Sequence, residues 1–115
     1  MPKLKIAAAT PTRDVKVVAL VKGITGLAIS SALSRLAAGK HGWLLTADLF
    51  KGDHEDRASE VERLIAGLRG LGIEPYILYA PTSTSWELVV QHPERYETSA
   101  EAVLRILHET DAEFD

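Results

Sequence analysis

The stretch VKVVALVKGITGLAIS, residues 15–30, contains the features on which the fold depends. Its first seven residues are mostly β-branched and almost continuously apolar, which predicts a strand that is covered on both faces or lies at the centre of a sheet. Gly23 and Gly26 follow this run, and an apolar stripe at helical spacing starts at Ile29. We therefore interpret residues 15–30 as a junction between a strand and a helix.

The two glycines of this junction do not have the spacing of a phosphate-binding loop. The P-loop requires Gly-x-x-x-x-Gly-Lys-Ser/Thr, and the dinucleotide-binding fingerprint requires Gly-x-Gly-x-x-Gly. The sequence KGITGLA has neither pattern, and the next glycine, Gly39, comes at the far end of the helix. Gly23 and Gly26 are instead expected to relieve the turn and to let the helix start close to the sheet.

Apolar periodicity and turn residues assign the remaining elements. Strands are predicted in KLKIAAA, GWLLTADLF and IEPYILYA. Helices are predicted over residues 29–36, after the N-cap residue Asp53, and at TSAE, where Thr98 and Glu101 match a capping box. The sequence WELVV fits either a strand or one helical turn.

This order of elements predicts the α/β class. We expect an α+β two-layer sandwich, with a small mixed sheet of three to four strands, two helices on one face and a C-terminal helical extension. The length of 115 residues predicts a single domain over residues 1–115.

The composition restricts the classes of function. The chain has no cysteine, which removes disulfides, thiolate zinc sites and cysteine nucleophiles. The net charge of -3 disfavours nucleic acid as the main partner, and Lys3, Lys5, Lys16 and Lys22 would form only a weak basic strip. Apolar runs are far shorter than the ~20 residues of a membrane span, and the N-terminus is a poor secretory signal. A cytoplasmic protein without membrane association is expected.

The sequence VKGITGLAISSAL resembles the strand-to-helix junction in the C-terminal domain of the bacterial ribosomal stalk protein. Lys22 matches a basic residue of that junction, and residues 25–27, Thr-Gly-Leu, match the core of its motif. Ile29 and Ala32 match apolar positions of the helix that follows. The later sequence GLGIEPYILY is similar to the end of the last helix and to the last strand of that domain. The adaptor subunit of the Clp protease shares the fold.

The resemblance covers roughly residues 15–80 and leaves residues 81–115 as an extension. It implies a compact β-α-β sandwich that binds other proteins and performs no catalysis. Ala19 and Leu33 stand where the family tends to have lysines, so binding of translational GTPases is not carried over. The expected function is a small protein-interaction or adaptor module with an unidentified protein partner, no cofactor, no metal site and no catalytic residue. The predicted binding surface consists of Lys22, Gly23, Ile24, Thr25, Gly26 and Leu27.

Two other functions are kept as alternatives. A small metal-assisted hydrolase would use His41, Asp48, Asp53 and His54, which are metal-binding and acid–base residue types that cluster in sequence. No His-Glu-x-x-His spacing is present, so we favour helix capping by Asp53 and a solvated His54. The second alternative is a homo-oligomeric structural or regulatory protein, including one encoded by a phage.

Four aromatic residues of the last third have two interpretations. They form either a binding patch or the contacts that dock the C-terminal helix onto the sheet, and we favour docking. These residues are Tyr76, Tyr79, Trp86 and Tyr96.

Overall fold

The structure of the chain, a computed structural model, describes residues 2–48, 54–81 and 83–106. Its fold class is α+β, which confirms the prediction. The elements in chain order are β1 (Pro2–Ala8), α1 (Val15–Thr25), α2 (Ile29–Ala37), β2 (Trp43–Asp48), α3 (His54–Gly70), β3 (Pro75–Pro81), α4 (Trp86–Gln91), β4 (Glu97–Thr98) and α5 (described over residues 100–106). Short 3-10 turns precede β2 and β4, at Gly39–His41 and Pro93–Arg95.

Within the described residues, the sheet has four strands in the order β2-β1-β3-β4. All three of its pairings are antiparallel, where the sequence predicted a mixed sheet. The reason is the position of β1, which lies between β2 and β3 and runs opposite to both. β2 and β3 therefore run in the same direction, as the connecting helix α3 allows, but they never pair with each other.

The prediction of a strand at residues 15–21 is wrong, because these residues form most of α1. The Asp14 side chain caps this helix by accepting a hydrogen bond from the Lys16 N–H at 2.9 Å. The buried residues of α1 are Val17, Val18 and Val21, whereas Val15 is 80% exposed. A short apolar run does not distinguish a buried strand from a buried helix, and here the burial of one helical face outweighs the β-branched preference for strands.

The main core lies between one face of the sheet and four helices. β1 contributes Leu4, Ile6 and Ala8, which alternate along the strand. The buried contributions of the helices are Val17, Val18 and Val21 from α1, Ala32 and Leu36 from α2, Val61, Leu64, Ile65 and Leu68 from α3, and Ala100 and Val103 from α5. The sequence predicted two helices on one face of the sheet, whereas four helices contribute to this core and α4 does not.

The sequence WELVV, which fitted a strand or a helical turn, forms the helix α4 on the opposite face of the sheet. Ser85 caps it by accepting a hydrogen bond from the Leu88 N–H at 3.3 Å. Val89 packs there against Leu78 and Ala80 of β3, and these three buried residues form a second, smaller core. Helices therefore pack on both faces of the sheet.

The predicted capping box at Thr98 is shifted by one residue. Thr98 belongs to β4, and Ser99 caps α5 by accepting a hydrogen bond from the Ala102 N–H at 3.1 Å. Glu101 instead accepts a hydrogen bond from the Arg69 guanidinium, which also binds Glu74. This bond to Arg69 lowers the pKa of Glu101. The end of α3 is thereby tied to the start of α5 by an exposed ionic cluster.

The connection between α2 and β2 brings two backbone segments unusually close. A Cβ atom at Gly42 would lie 1.9 Å from the carbonyl oxygen of Arg35, which is in the last part of α2. The Arg35 guanidinium also donates a hydrogen bond to the Trp43 carbonyl at 2.8 Å. Only glycine fits at position 42, and the contact fixes where β2 begins.

Candidate functional site

The end of α1 and its connection to α2 contain the six residues predicted to bind a partner: Lys22, Gly23, Ile24, Thr25, Gly26 and Leu27. Gly26 has a φ of 77°, and its N–H donates to the Lys22 carbonyl at 3.0 Å. The Thr25 hydroxyl donates to the Val21 carbonyl at 2.7 Å and accepts from the Leu27 N–H at 3.2 Å. The Thr-Gly-Leu sequence therefore ends a helix and does not follow a strand.

The helices α1 and α2 meet at this connection with a bend of 119°. Within the part of the chain that the structure describes, no single helix is long and apolar enough to cross a membrane. α1 and α2 reach that length and composition only when they are counted together across the bend. Because Lys22 and Gly23 are exposed at the end of α1, the bend presents them to solvent beside the start of α2.

Apolar side chains are exposed on α2 next to this bend. Ile29 is 57% exposed and Leu33 is 38% exposed. They are four residues apart, so they lie on the same side of α2. Ile24 and Leu27 are half-buried and pack against the main core beneath. We call residues 22–27 together with Ile29 and Leu33 the α1–α2 corner.

The structure describes the backbone of three of the four candidate metal ligands of the hydrolase alternative, and it places His41 and Asp48 far apart. His41 is exposed in the turn before β2, whereas Asp48 is the last residue of β2. The length of that strand separates them by about 17 Å at roughly 3.3 Å per residue. His54 is the first residue of α3, and Asp53 lies outside the described residues. Among the side chains that the structure describes, no group of three or more His, Asp or Glu could hold a metal ion.

The face of the sheet opposite the main core carries aromatic and lysine side chains. In β1, Leu4 and Ile6 are in the main core, so Lys3 and Lys5 project from the other face because side chains alternate along a strand. Thr46 pairs with Lys5 and is exposed, so this part of the face is open. We call the following set the aromatic–lysine face: Lys3, Lys5, Lys40, Trp43, Tyr76 and Trp86.

Two of the rings meet above a small residue of the central strand. Trp43 in β2 and Tyr76 in β3 both pair with Ala7, which is fully buried. Strands on either side of a third strand are about 9.6 Å apart. The ring centroids of Trp43 and Tyr76 are only 6.0 Å apart at an interplanar angle of 22°. The two rings therefore lean together over Ala7 and form a stacked pair.

The three lysines place their ammonium groups over these rings. The Lys5 Nζ lies between the two tryptophans, 5.6 Å from the Trp43 ring centroid and 4.8 Å from that of Trp86. The Lys3 Nζ is 4.7 Å from Trp86, and the Lys40 Nζ is 5.1 Å from Tyr76. Partial burial lowers the pKa of Lys5, and the charge of Lys3 lowers it further. The rings offer electron-rich faces that are attractive to cations.

Part of this face was visible in the sequence and part was not. Tyr76, Trp86 and Tyr96 pack together around the second core, so they do not dock α5. Tyr79 alone of the four lies on the main-core side with α5. Trp43 and Lys40 were missed. The available signal was the alternation of lysine with leucine and isoleucine in β1, which marks a strand with one polar face.

The phenol of Tyr76 is expected to lose its proton at a higher pH than an ordinary tyrosine. Its hydroxyl donates to Glu97 at 2.8 Å, and burial together with this bond raises its pKa from 10.0 to about 12. The unfolded chain would ionise at the lower value, so the free energy of unfolding should fall as pH rises between 10 and about 12. Denaturant unfolding across that range should show a steeper loss for the wild type than for Tyr76→Phe. Equal slopes in the two proteins would contradict the raised pKa.

No protein-family model matches this chain, and no curated protein or solved structure is significantly similar to it. The fold and the two surfaces therefore describe this chain as a small α+β domain that has an apolar corner on its helices and an aromatic–lysine face on its sheet. The chemistry of these two surfaces is what the functional proposals rest on.

Proposed function

We propose that this chain is a small non-catalytic module that binds another protein through the α1–α2 corner. The observation that carries the proposal is the exposure of Ile29 and Leu33, at 57% and 38%, on one side of α2. Neighbouring aliphatic side chains on a helix are costly to leave in water and are typical of surfaces that bind a partner. Lys22, exposed at the end of α1, adds a positive charge at the rim.

The residues of the α1–α2 corner divide into two roles. Ile24 and Leu27 are half-buried and support the corner from below, so a charge at either position would also disturb the main core. Gly26 and Thr25 fix the end of α1 through their hydrogen bonds. Contact with a partner would therefore be made mainly by Lys22 and by the exposed side of α2.

Ile29→Asp is expected to abolish binding of the protein partner without unfolding the domain. Ile29 is the first residue of α2, where a carboxylate is favourable to the helix dipole, so the fold should tolerate the change. Affinity capture with the wild type and the variant as baits, followed by quantitative mass spectrometry, measures the effect. Proteins retained by the wild type should fall at least tenfold with the variant, a loss of about 1.4 kcal/mol or more.

Val15→Asp is the matched control. Val15 is also an aliphatic first residue of a helix, it is 80% exposed, and it lies at the other end of α1 from the corner. The Val15→Asp variant should retain the same proteins as the wild type. If Ile29→Asp and Val15→Asp retain the same proteins in the same amounts, the corner is not the binding surface.

A second copy of the chain is one partner that this experiment would reveal. In that case light scattering of the wild type should show an oligomer that Ile29→Asp converts to a monomer. We place the module in the cytoplasm as part of the proposal, because a chain without cysteine does not need an oxidising compartment.

A further inference from the structure

We propose that the aromatic–lysine face binds single-stranded nucleic acid, with bases stacked on its rings and phosphates paired with its lysines. This inference goes beyond the proposed function and does not rest on it. The α1–α2 corner belongs to helices that pack on one side of the sheet, and the aromatic–lysine face is on the other side. One domain could therefore hold a protein and a nucleic acid on opposite sides.

The rings form a fixed platform of the kind that unpaired bases require. Trp43, Tyr76 and Trp86 are each half-buried, so the sheet holds them in place while part of each ring stays exposed. The Trp43–Tyr76 pair is stacked over Ala7, and Arg35 holds the Trp43 backbone from α2. Stacking on aromatic side chains is tolerant of sequence, because every base has a π-face.

The lysines supply the charge that a phosphate backbone needs. Lys3, Lys5 and Lys40 all place their ammonium groups on this face, within 5.6 Å of a ring centroid. Asp48 pairs with Lys3 in the register of β1 and β2, and it is the acidic position nearest to them along those strands. Glu97, at the β4 side of the face, accepts the hydrogen bond of Tyr76. Along β1 and β2 this face therefore carries two lysines, Lys3 and Lys5, and one acidic position, Asp48.

An exchange of contacts would accompany binding. In the free protein the lysine ammonium groups occupy the faces of the rings. A lysine side chain is flexible and presents a compact charge, so it can move to a phosphate while a base takes its place on the ring. For Lys5 this move also relieves its partial burial and its repulsion by Lys3. An acidic peptide without aromatic side chains, such as polyglutamate, would use the lysines but would have nothing to stack on the rings.

Both tryptophans of the chain, Trp43 and Trp86, belong to this face, so intrinsic tryptophan fluorescence reports on it alone. Titration with oligodeoxythymidylate of about 12 nucleotides should quench that fluorescence, because the bases stack on both rings. With three phosphates neutralised, the slope of log affinity against log salt should be about -2. The affinity should then fall about 20-fold between about 50 and about 200 mM salt.

Four variants separate stacking and charge from general effects. Trp43→Leu should weaken binding by about 5- to 150-fold, the effect of losing one base stack, whereas Trp43→Phe should restore most of it. Lys5→Gln should reduce the salt slope by about 0.7, and Lys16→Gln, which removes an exposed charge from α1, should leave the slope unchanged. Circular dichroism of each variant confirms that the fold is intact, and labelled-oligonucleotide anisotropy gives the affinity independently of the tryptophans.

Three results would overturn the proposal. The first is the absence of quenching and of anisotropy change by the oligonucleotide at low salt. The second is that polyglutamate binds as tightly as the oligonucleotide and that Trp43→Leu weakens neither ligand. That result would indicate a surface for acidic peptides. The third is an equal effect of Lys5→Gln and Lys16→Gln. None of these results bears on capture through the α1–α2 corner, since that test uses Ile29 and Val15.

Discussion

Gly42→Ala should destabilise the domain by about 3 kcal/mol or more, at the upper end of what overpacking costs. The added methyl group would lie 1.9 Å from the carbonyl oxygen of Arg35 and 2.5 Å from its carbonyl carbon. These are backbone atoms of α2, so no rotation of a side chain can relieve the contact. Either α2 or the start of β2 must move, and both belong to the main core. Urea unfolding monitored by circular dichroism gives the change in the free energy of unfolding.

Gly23→Ala is the matched control for this substitution. Gly23 lies within α1, and a Cβ atom there would have no neighbour within 4 Å. Alanine is the better residue inside a helix, so this variant should be more stable than the wild type by about 0.5–1 kcal/mol. Similar unfolding midpoints for Gly42→Ala and the wild type would mean that α2 and β2 do not approach as closely as the structure places them.

Leu36→Ala should destabilise the domain by about 2–5 kcal/mol. Leu36 is fully buried in the main core, where α2 meets the sheet. Its truncation removes apolar surface that folding had buried and leaves a cavity that the surrounding elements fill only in part. Denaturant unfolding measures the loss, and an unchanged dependence on denaturant concentration would show that the change lies in the stability and not in the compactness of the unfolded chain.

Leu33→Ala provides the same chemical change on the same helix at an exposed position. Leu33 is 38% exposed, so its truncation should cost about 1 kcal/mol or less. The pair therefore distinguishes the side of α2 that holds the fold from the side that we assign to a partner. Equal losses in the free energy of unfolding for Leu33→Ala and Leu36→Ala would place both residues in the core. Leu33 would then not belong to an apolar binding surface at the corner.

Apolar periodicity in the sequence was sufficient to predict the strands and helices that have a long or regular apolar pattern. The strands β1, β2 and β3 and the helices α2 and α3 were expected close to where they occur. α1 was misassigned because a seven-residue run with six apolar residues fits either a buried strand or a buried helical face, and the choice depends on what packs against it. The cap at Asp14 and the stop at Gly26 were present in the sequence, but both are also ordinary turn residues.

The surfaces were less predictable than the elements, because each depends on which strands lie side by side. The alternation in β1 places Lys3 and Lys5 on one face, and that much follows from sequence. The approach of Trp43 and Tyr76 follows only from the register, since each pairs with Ala7 from a different strand. The net charge of -3 describes the whole chain and cannot show that the lysines of one face are gathered around its rings.

The central position of β1 also affects the order in which its strand pairings can form during translation. β1 is synthesised before its two neighbours, and both of its edges stay unpaired until β2 and β3 have left the ribosome. Pairings between residues so far apart in the chain are slow to form, and a nascent strand with two open edges is prone to aggregate. α1 and α2 come immediately after β1 and pack on its apolar side. During translation these two helices are the first elements available to cover the apolar face of β1, and its two edges are covered only by β2 and β3.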